Sequence, residues 1–356
     1  MLRVALVGYG SAGRGIHAPL LREAGLAPSV VATASPERVA QVRSDLPGSQ
    51  VVPDLDAVLA AAPDLVVLAS PSGVHAGQAL ACIAARVAVV VDKPLATDAA
   101  QARQVVTAAQ AAGVPLTAFH NRRWDGENLA LGAVLAAGTL GTVHRFERRW
   151  ERWRPVPKAR WREQQRAEQG GGLLLDLGPH VVDTALQLFG PVVAVHAETA
   201  ARTTAAEDDA FLSLLHAGGV RSHLTLGSVV AAPGPRTRVL GSRAAYVSTD
   251  LPGEPPVFEG FADLPGHCGW IVAGADRWPV PRPAGSAVDL YRAVGAALAL
   301  PDAAARQAAM PVDPWDAVAV AEVLDAARLS GDGAGTVSLP AEPLPHTPGT
   351  LGRSFT

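Results

Sequence analysis

The chain has 356 residues, enough for about two domains that each bury a core. Apolar residues make up 49% and the formal net charge is -3, which excludes a disordered polymer and a global basic field for nucleic acid or anionic membrane. Two distant cysteines, Cys82 and Cys268, exclude a disulfide framework or a CxxC metal site and point to a reducing cytoplasm.

Residues 1–120 alternate short apolar runs with Ala-rich segments. The runs 2–7, 29–34, 65–70, 87–92 and 115–119 predict strands, and 12–24, 36–44, 54–62, 74–85 and 98–112 predict helices. Asp54 and Thr97 are the expected N-caps, and Gly113 sits where a helix-ending glycine belongs. Strands buried on both faces and joined by crossover helices give an α/β doubly wound parallel sheet. The first strand runs straight into a glycine turn, so no secretory leader is expected. No apolar stretch reaches the length of a membrane span.

After residue 120 the pattern changes. Alternation over 142–156 predicts a strand, followed by an Arg/Trp-rich loop to about residue 166. The glycines 170–172 open a helical segment ending near Gly190. Strand-like runs at 192–199, 211–215, 220–227, 236–240 and 244–249 then predict an antiparallel sheet with helices on one side. The Pro-rich stretch 251–285 reads as irregular, and 286–299 and 313–329 read as helices. This gives a Rossmann dinucleotide-binding domain over 1–120, a substrate-binding domain over 121–340 and a tail over 341–356.

Gly8-Tyr-Gly10-Ser11-Ala12-Gly13 follows the first strand and opens the first helix. Gly8 permits the tight turn, Gly10 admits a pyrophosphate, and Gly13 allows close helix–strand packing, while the helix start offers N–H groups to phosphate. At the end of the second strand an acidic residue would select NAD. Here Ser35 and Arg38 offer a hydroxyl and a cation, which suit the 2′-phosphate of NADP better than NAD. Ser70 and His75 border the same expected crevice, where His75 could equally cap a helix or touch ligand.

Only two of the thirty basic residues are lysines, Lys93 and Lys158. Lys93 follows the strand at 87–92 and precedes Pro94, so it lies beyond a strand's carboxyl end, where open α/β sheets bind ligands. It reads either as a solvated loop lysine or as a group in proton transfer. Asp176 and His180 are spaced i, i+4, expected on one helix face with Asp183 and Thr184. The carboxylate could hold the imidazole's tautomer and leave the other nitrogen to take an alcohol proton. No histidine shows metal-ligand spacing, and Asp/His alone makes a poor zinc site. The stretch 145–166 holds nine basic and three acidic residues with Trp150, Trp153 and Trp161 interleaved. Next to the candidate catalytic helix it reads as a strand and loop meeting phosphates and a polyhydroxylated substrate rather than nucleic acid.

With these motifs in order — Gly8 to Gly13, Asp92-Lys93-Pro94, Trp161-Arg162 before the glycines, and Asp176-x-x-x-His180 — the chain resembles the Gfo/Idh/MocA (glucose–fructose oxidoreductase/inositol dehydrogenase) family over residues 1 to about 330. Within it, Phe119-His-Asn121 through Asp125 is similar to the branch of NADP-dependent scyllo-inositol dehydrogenases. The resemblance implies a second domain with a large open, mainly antiparallel sheet that is commonly buried in a homodimer or homotetramer. It implies Lys93 at substrate oxygen and cofactor, His180 as general base supported by Asp176, and Asn121, Trp161 and Arg162 near the cofactor. The implied reaction is hydride transfer between a cyclitol or sugar alcohol and nicotinamide. The alternatives are reduction of another carbonyl on the same fold, or a non-catalytic NADP(H)-binding sensor. Where the inositol-active branch carries a lysine and an Asp-Pro-Gln-Glu run, this chain has Tyr246 through Gly253, which leaves the substrate open.

Overall fold

A computed structural model of the chain describes residues 2–158, 160–249 and 259–340. The expected tail at 341–356 lies outside the described residues. The chain forms two compact units, Met1–Asn121 with Ser286–Val318, and Arg122–Gly285 with Ala319–Thr356.

In the first unit β1 (Val4–Val7) leads through a wide turn at Gly13–His17 into α1 (Ala18–Glu23). Then follow β2 (Val30–Ala32), α2 (Pro36–Asp45), β3 (Gln50–Val52), α3 (Leu55–Ala60), β4 (Leu65–Leu68), α4 (His75–Ala84), β5 (Ala88–Val91), α5 (Ala99–Ala112) and β6 (Leu116–Ala118). The strands form one parallel sheet in the order β3-β2-β1-β4-β5-β6. Every residue of β1, β4 and β5 is buried, as a sheet covered by helices on both faces requires. Asp54 caps α3 as expected, and Gly113 ends α5 at φ +62°. The cap of α5 is Asp98, which accepts from Gln101 N at 2.8 Å, and not Thr97, whose hydroxyl accepts from the Gln101 side chain. β3 was not expected; it is an edge strand in which only Val52 is buried, so it shows no apolar run.

The second unit opens with α6 (Gly126–Ala136) and β7 (Val143–Glu151), then α7 (Trp161–Gln164), α8 (Leu173–Asp176) and α9 (Gly178–Phe189). Strands β8 (Val192–Ala200), β9 (Asp209–His216), β10 (Arg221–Gly227), β11 (Thr237–Gly241), β12 (Ala245–Ser248), β13 (His267–Ala273) and β14 (Asp276–Pro281) follow. The stretch 251–285 is therefore not irregular throughout: β13 and β14 form a hairpin whose turn uses Gly274 at φ +62°. Its prolines, Pro279 and Pro281, disguise the strand, and they are tolerated because β14 is the sheet's edge.

The remaining elements are α10 (Val288–Leu298), α11 (Ala303–Ala308), α12 (Pro314–Leu329) and β15 (Val337–Ser338). Residues 286–318, read from sequence as part of the second domain, belong to the first unit. Polar contacts explain this: Gln307 accepts from Leu116 N at 2.8 Å and donates to Leu116 O at 3.1 Å, extending the ladder of edge strand β6. Thr117 Oγ1 also donates to Val312 O at 2.8 Å.

The second sheet runs β14-β13-β12-β11-β7-β10-β9-β8-β15, antiparallel except where β10 lies parallel to β7. Burial alternates along β9, as expected for a sheet covered on one face. The covered face meets Leu174, Val181, Val182 and Ala185 of α8 and α9, and Val320, Leu324 and Ala327 of α12. Gly178 lets α9 lie close to α12: a Cβ there would stand 2.7 Å from Leu324 Cδ2 and push that side chain aside.

A buried ionic network pins this core. Glu127 of α6 accepts from Arg148 of β7 and from Arg236, both at 2.8 Å, and from Thr237 Oγ1 at 2.6 Å. Burial alone would raise the Glu127 carboxyl, but Arg148 and Arg236 outweigh it and lower the pKa to about 2. A depressed carboxylate contributes stability above its unfolded value, near 4.5, and loses it as pH falls toward 2. Glu127→Ala should therefore cost about 3–5 kcal/mol in urea unfolding at pH 7, by stranding two guanidinium groups. The wild-type advantage should shrink as the same measurement moves from about pH 5 toward pH 2.

Candidate active site

The first unit builds a glycine cradle at the end of β1. Gly8 has φ +93°, and a Cβ on it would stand 2.8 Å from Ala69 O. A Cβ on Gly13 would fall 2.0 Å from Gly8 O, so the turn and the following segment can be this close only with glycine at both positions. Ser11 and Ala12 complete the turn, and Ala18 N bonds Gly13 O, a wide winding at the helix start. Tyr9 is buried and donates to Asp45 Oδ2 at 3.2 Å; burial, then the Asp45 charge, pushes its hydroxyl up to about 12. Arg14 Nε bonds the same carboxylate oxygen at 2.6 Å and ties the cradle to the end of α2.

Arg38 lies beside this cradle. Its guanidinium carbon is 3.9 Å from where a Cβ on Gly10 would stand. Ser35 caps α2, its hydroxyl accepting from Arg38 N at 3.5 Å. The structure thus brings Ser35, Arg38 and Gly10 together.

At the ends of β4 and β5 the buried ring of His75 joins two loops. Its Nδ1 is 2.7 Å from Pro94 O and its Nε2 is 2.8 Å from Ser70 O. These contacts, which neither helix capping nor ligand contact anticipates, hold the Lys93-Pro94 segment against the end of β4. Ser70 Oγ donates to the Gln78 side chain at 2.5 Å.

Lys93, joined to Pro94 by a cis peptide, follows β5 as expected. Beneath it, buried Asp92 accepts from Lys93 N at 2.8 Å and lies 3.6 Å from His17 Nε2. The other His17 nitrogen meets Tyr291 OH at 2.5 Å, and the ring packs on Phe119. Burial would raise the Asp92 carboxyl, but the neighbouring His17, then Lys93 and His75, hold it below the usual carboxylate range. Nothing local in the sequence marks His17 or Tyr291 as the support of Lys93. Asn121, half-buried, closes the unit's first segment.

The second unit arranges the other candidates. Asp176 and His180 do not share one continuous helix. α8 ends at Asp176, and Leu177 breaks the winding before α9, whose second residue, Pro179, lacks an N–H. Asp176 Oδ1 lies 3.3 Å from Arg162 Nε, and the Arg162 guanidinium lies over the Trp161 ring, 4.6 Å from its centroid. The Trp-Arg pair and the aspartate are therefore one cluster. The glycines bring it about: a Cβ on Gly171 would fall 2.0 Å from Gln165 O, and Gly172 N bonds Arg162 O at 3.1 Å. Glu207, not anticipated, accepts from Leu174 N at 3.0 Å and holds the start of α8.

His180 stacks on Trp150, with ring centroids 5.6 Å apart and planes at 28°. Asp183 takes the Arg123 guanidinium on both oxygens, and Thr184 Oγ1 donates to His180 O at 2.9 Å. Strand alternation could have placed Arg148, Trp150 and Arg152 on one face of β7. Among the described residues no helix is long and apolar enough to cross a membrane.

Comparison with known proteins agrees with this architecture. Residues 2–120 match the oxidoreductase family with NAD-binding Rossmann fold, and residues 129–247 match the GFO/IDH/MocA C-terminal domain. The chain is 30% identical to scyllo-inositol 2-dehydrogenase (NADP(+)) IolW of Bacillus subtilis, over 95% of this chain and 96% of that one. It is 38% identical to the oxidoreductase YdgJ of Escherichia coli, over 70% and 72% of the respective chains. Among solved structures, an oxidoreductase from Klebsiella pneumoniae superposes with a TM-score of 0.79 at 34% identity, covering 95% of this chain and 96% of that one.

The cradle yields a direct test. Gly13→Ala puts a methyl against a backbone carbonyl that no rotamer can relieve, so it should cost about 1–3 kcal/mol in thermal or urea unfolding. It should also abolish dinucleotide binding measured by quenching of protein fluorescence. Binding at wild-type affinity would show that the turn is not the cradle.

Proposed function

This chain belongs to the Gfo/Idh/MocA oxidoreductase family, and within it we propose that it is an NADP-dependent dehydrogenase acting on a secondary alcohol of a cyclitol or sugar. The cofactor preference is supported by the Arg38 guanidinium beside Gly10 and by the lack of a carboxylate at residues 33–35. The NADP-dependent inositol dehydrogenase relative supports it as well. The glycine turn, which a Cβ at Gly8 or Gly13 would force apart by overlapping neighbouring backbone, fits the pyrophosphate of such a cofactor.

Bound there, the nicotinamide supplies a hydride acceptor. The chain's own residues do the rest in this reading. His180, its ring fixed against Trp150, takes the proton from the substrate hydroxyl as general base. Lys93 donates to the same oxygen and stabilises the alkoxide as its proton leaves. Asp176, held by Arg162, orients and electrostatically supports the imidazole. Trp161, Arg162 and Asn121 are read as lining the cofactor. The clamped Lys93 carries the proposal: Asp92 holds its backbone N–H and His75 holds the Pro94 carbonyl. Such restraint is what a positioned donor needs and a solvated loop lysine does not. A small polyol is the expected partner, and the half-exposed face of the second sheet is read as the surface of a homodimer or homotetramer.

Lys93→Met should keep NADPH binding and lower kcat by about 10²–10⁴ in a cofactor-reduction assay over a panel of cyclitols and sugars. Unchanged turnover would remove Lys93 from the reaction, and a protein that binds NADPH yet never turns over would be a sensor. Arg38→Ala should weaken NADPH by roughly tenfold or more and leave NADH nearly unchanged, as loss of a phosphate contact requires. Equal loss for both cofactors would overturn the assignment of Arg38.

A further inference from the structure

Around Trp150, beside His180, the second unit gathers several guanidinium groups. The guanidinium carbons of Arg122, Arg152 and Arg236 lie 5.0, 5.4 and 5.5 Å from the Trp150 ring centroid. Arg148 joins Arg236 on Glu127, and Arg122 Nη1 reaches Asp125 Oδ2 at 2.9 Å. Among the described residues, Arg122, Arg148 and Arg236 against Asp125 and Glu127 leave one positive charge in excess.

Hydrogen bonding tells the same story. Arg236 is only 6% exposed, and while its Nε is held by Glu127, its Nη1 has no hydrogen-bond partner among the described residues. The same is true of the buried Nε of Arg122 and of Trp150 Nε1. Proteins rarely leave a buried cationic donor without an acceptor, because its hydration is lost with nothing in return. Stacking on an indole recovers part of that loss for the charge but supplies no acceptor to the N–H. A planar guanidinium with a spare donor is the usual partner of a carboxylate or phosphate oxygen.

We propose that the substrate carries an anionic group, a carboxylate or a phosphate, which the Arg122, Arg152 and Arg236 cluster receives next to His180. The proposal rests on His180 being the base of the dehydrogenase reading, and it narrows the substrate class. The alcohol oxidised sits on an acidic polyol, such as a sugar acid or a sugar phosphate, rather than on a neutral ring. These arginines position the substrate; none of them takes part in the proton or hydride transfer.

The test is calorimetric titration of the full chain, kept saturated with NADPH so that phosphate cannot occupy the cofactor's own site. D-gluconate, D-glucose 6-phosphate and neutral myo-inositol serve as probes. One or both anions should bind, more tightly than myo-inositol, and whichever binds identifies carboxylate or phosphate as the recognised group. Arg236→Gln should weaken that anion about tenfold or more, the loss of one charge-assisted hydrogen bond, and leave NADPH affinity unchanged. Because Arg236 also belongs to the Glu127 network, Arg122→Gln, whose side chain is 31% exposed, serves as a second variant expected to fold normally. Anions that fail to bind, or that bind both variants as well as wild type, overturn the proposal. If neutral polyols are then oxidised at full rate, the dehydrogenase reading survives without it; absence of NADPH binding would defeat that reading instead.

Discussion

A charge taken out of water must be matched by another charge or by fixed dipoles, and in each unit one buried carboxylate sets the terms for the residues around it. In the first unit it is Asp92, which receives the N–H of Lys93 and faces His17, whose second nitrogen is engaged by Tyr291. The end of β5 cannot shift without stranding that carboxylate, so the loop bearing Lys93 inherits the rigidity of the sheet. In the second unit it is Glu127, which joins α6 to β7 through Arg148 and to the entry of β11 through Arg236 and Thr237. Buried ion networks are weak evidence of net stability, since packed apolar groups often do as well. What they set here is register: which residues of β7 and β11 stand level with Trp150.

Close approach of backbone is the second constraint. At Gly13 and at Gly171 a Cβ would overlap a carbonyl oxygen at 2.0 Å. Both glycines stand where one chain segment turns closely onto another: the glycine turn after β1 in one unit, the loop of the Arg162–Asp176 contact in the other. The glycine cluster ahead of α8 therefore fixes the loop bearing Trp161 and Arg162 against the aspartate.

The parallel sheet was largely legible in the sequence because strands buried on both faces are unbroken apolar runs with caps and glycines between them. Edge strands escaped the same reading. β3 has one buried residue, and β14 carries two prolines that only an edge allows. The spacing of Asp176 and His180 was visible, but not that Leu177 and Pro179 divide the helix between them. Contacts made by folding left no local trace: His17 meets Tyr291 across 274 positions, and Glu127 meets Arg236 across 109. The basic stretch at 145–166 was visible as charge. Strand alternation divides it into residues that face the helices, such as Arg148 and Trp150, and residues that face away.

The near-absence of lysine takes on meaning against the way this chain uses arginine. Its guanidinium groups lie repeatedly on aromatic faces: Arg162 on Trp161, Arg277 on Trp270 and Arg103 on Trp315 at 4.6, 5.2 and 5.5 Å, besides the three around Trp150. Those positions call for a flat, delocalised cation that packs as well as it bonds. Lys93 stands in a loop whose backbone is already fixed on both sides, by Asp92 at its own N–H and by His75 at the Pro94 carbonyl. An ammonium there concentrates its charge at one atom and can turn any of three donors toward an oxygen. A guanidinium spreads the charge over a plane that must itself be accommodated. Arginine would supply charge equally well, and the sequence uses it at twenty-eight of thirty basic positions. A compact, rotatable donor is what only lysine adds.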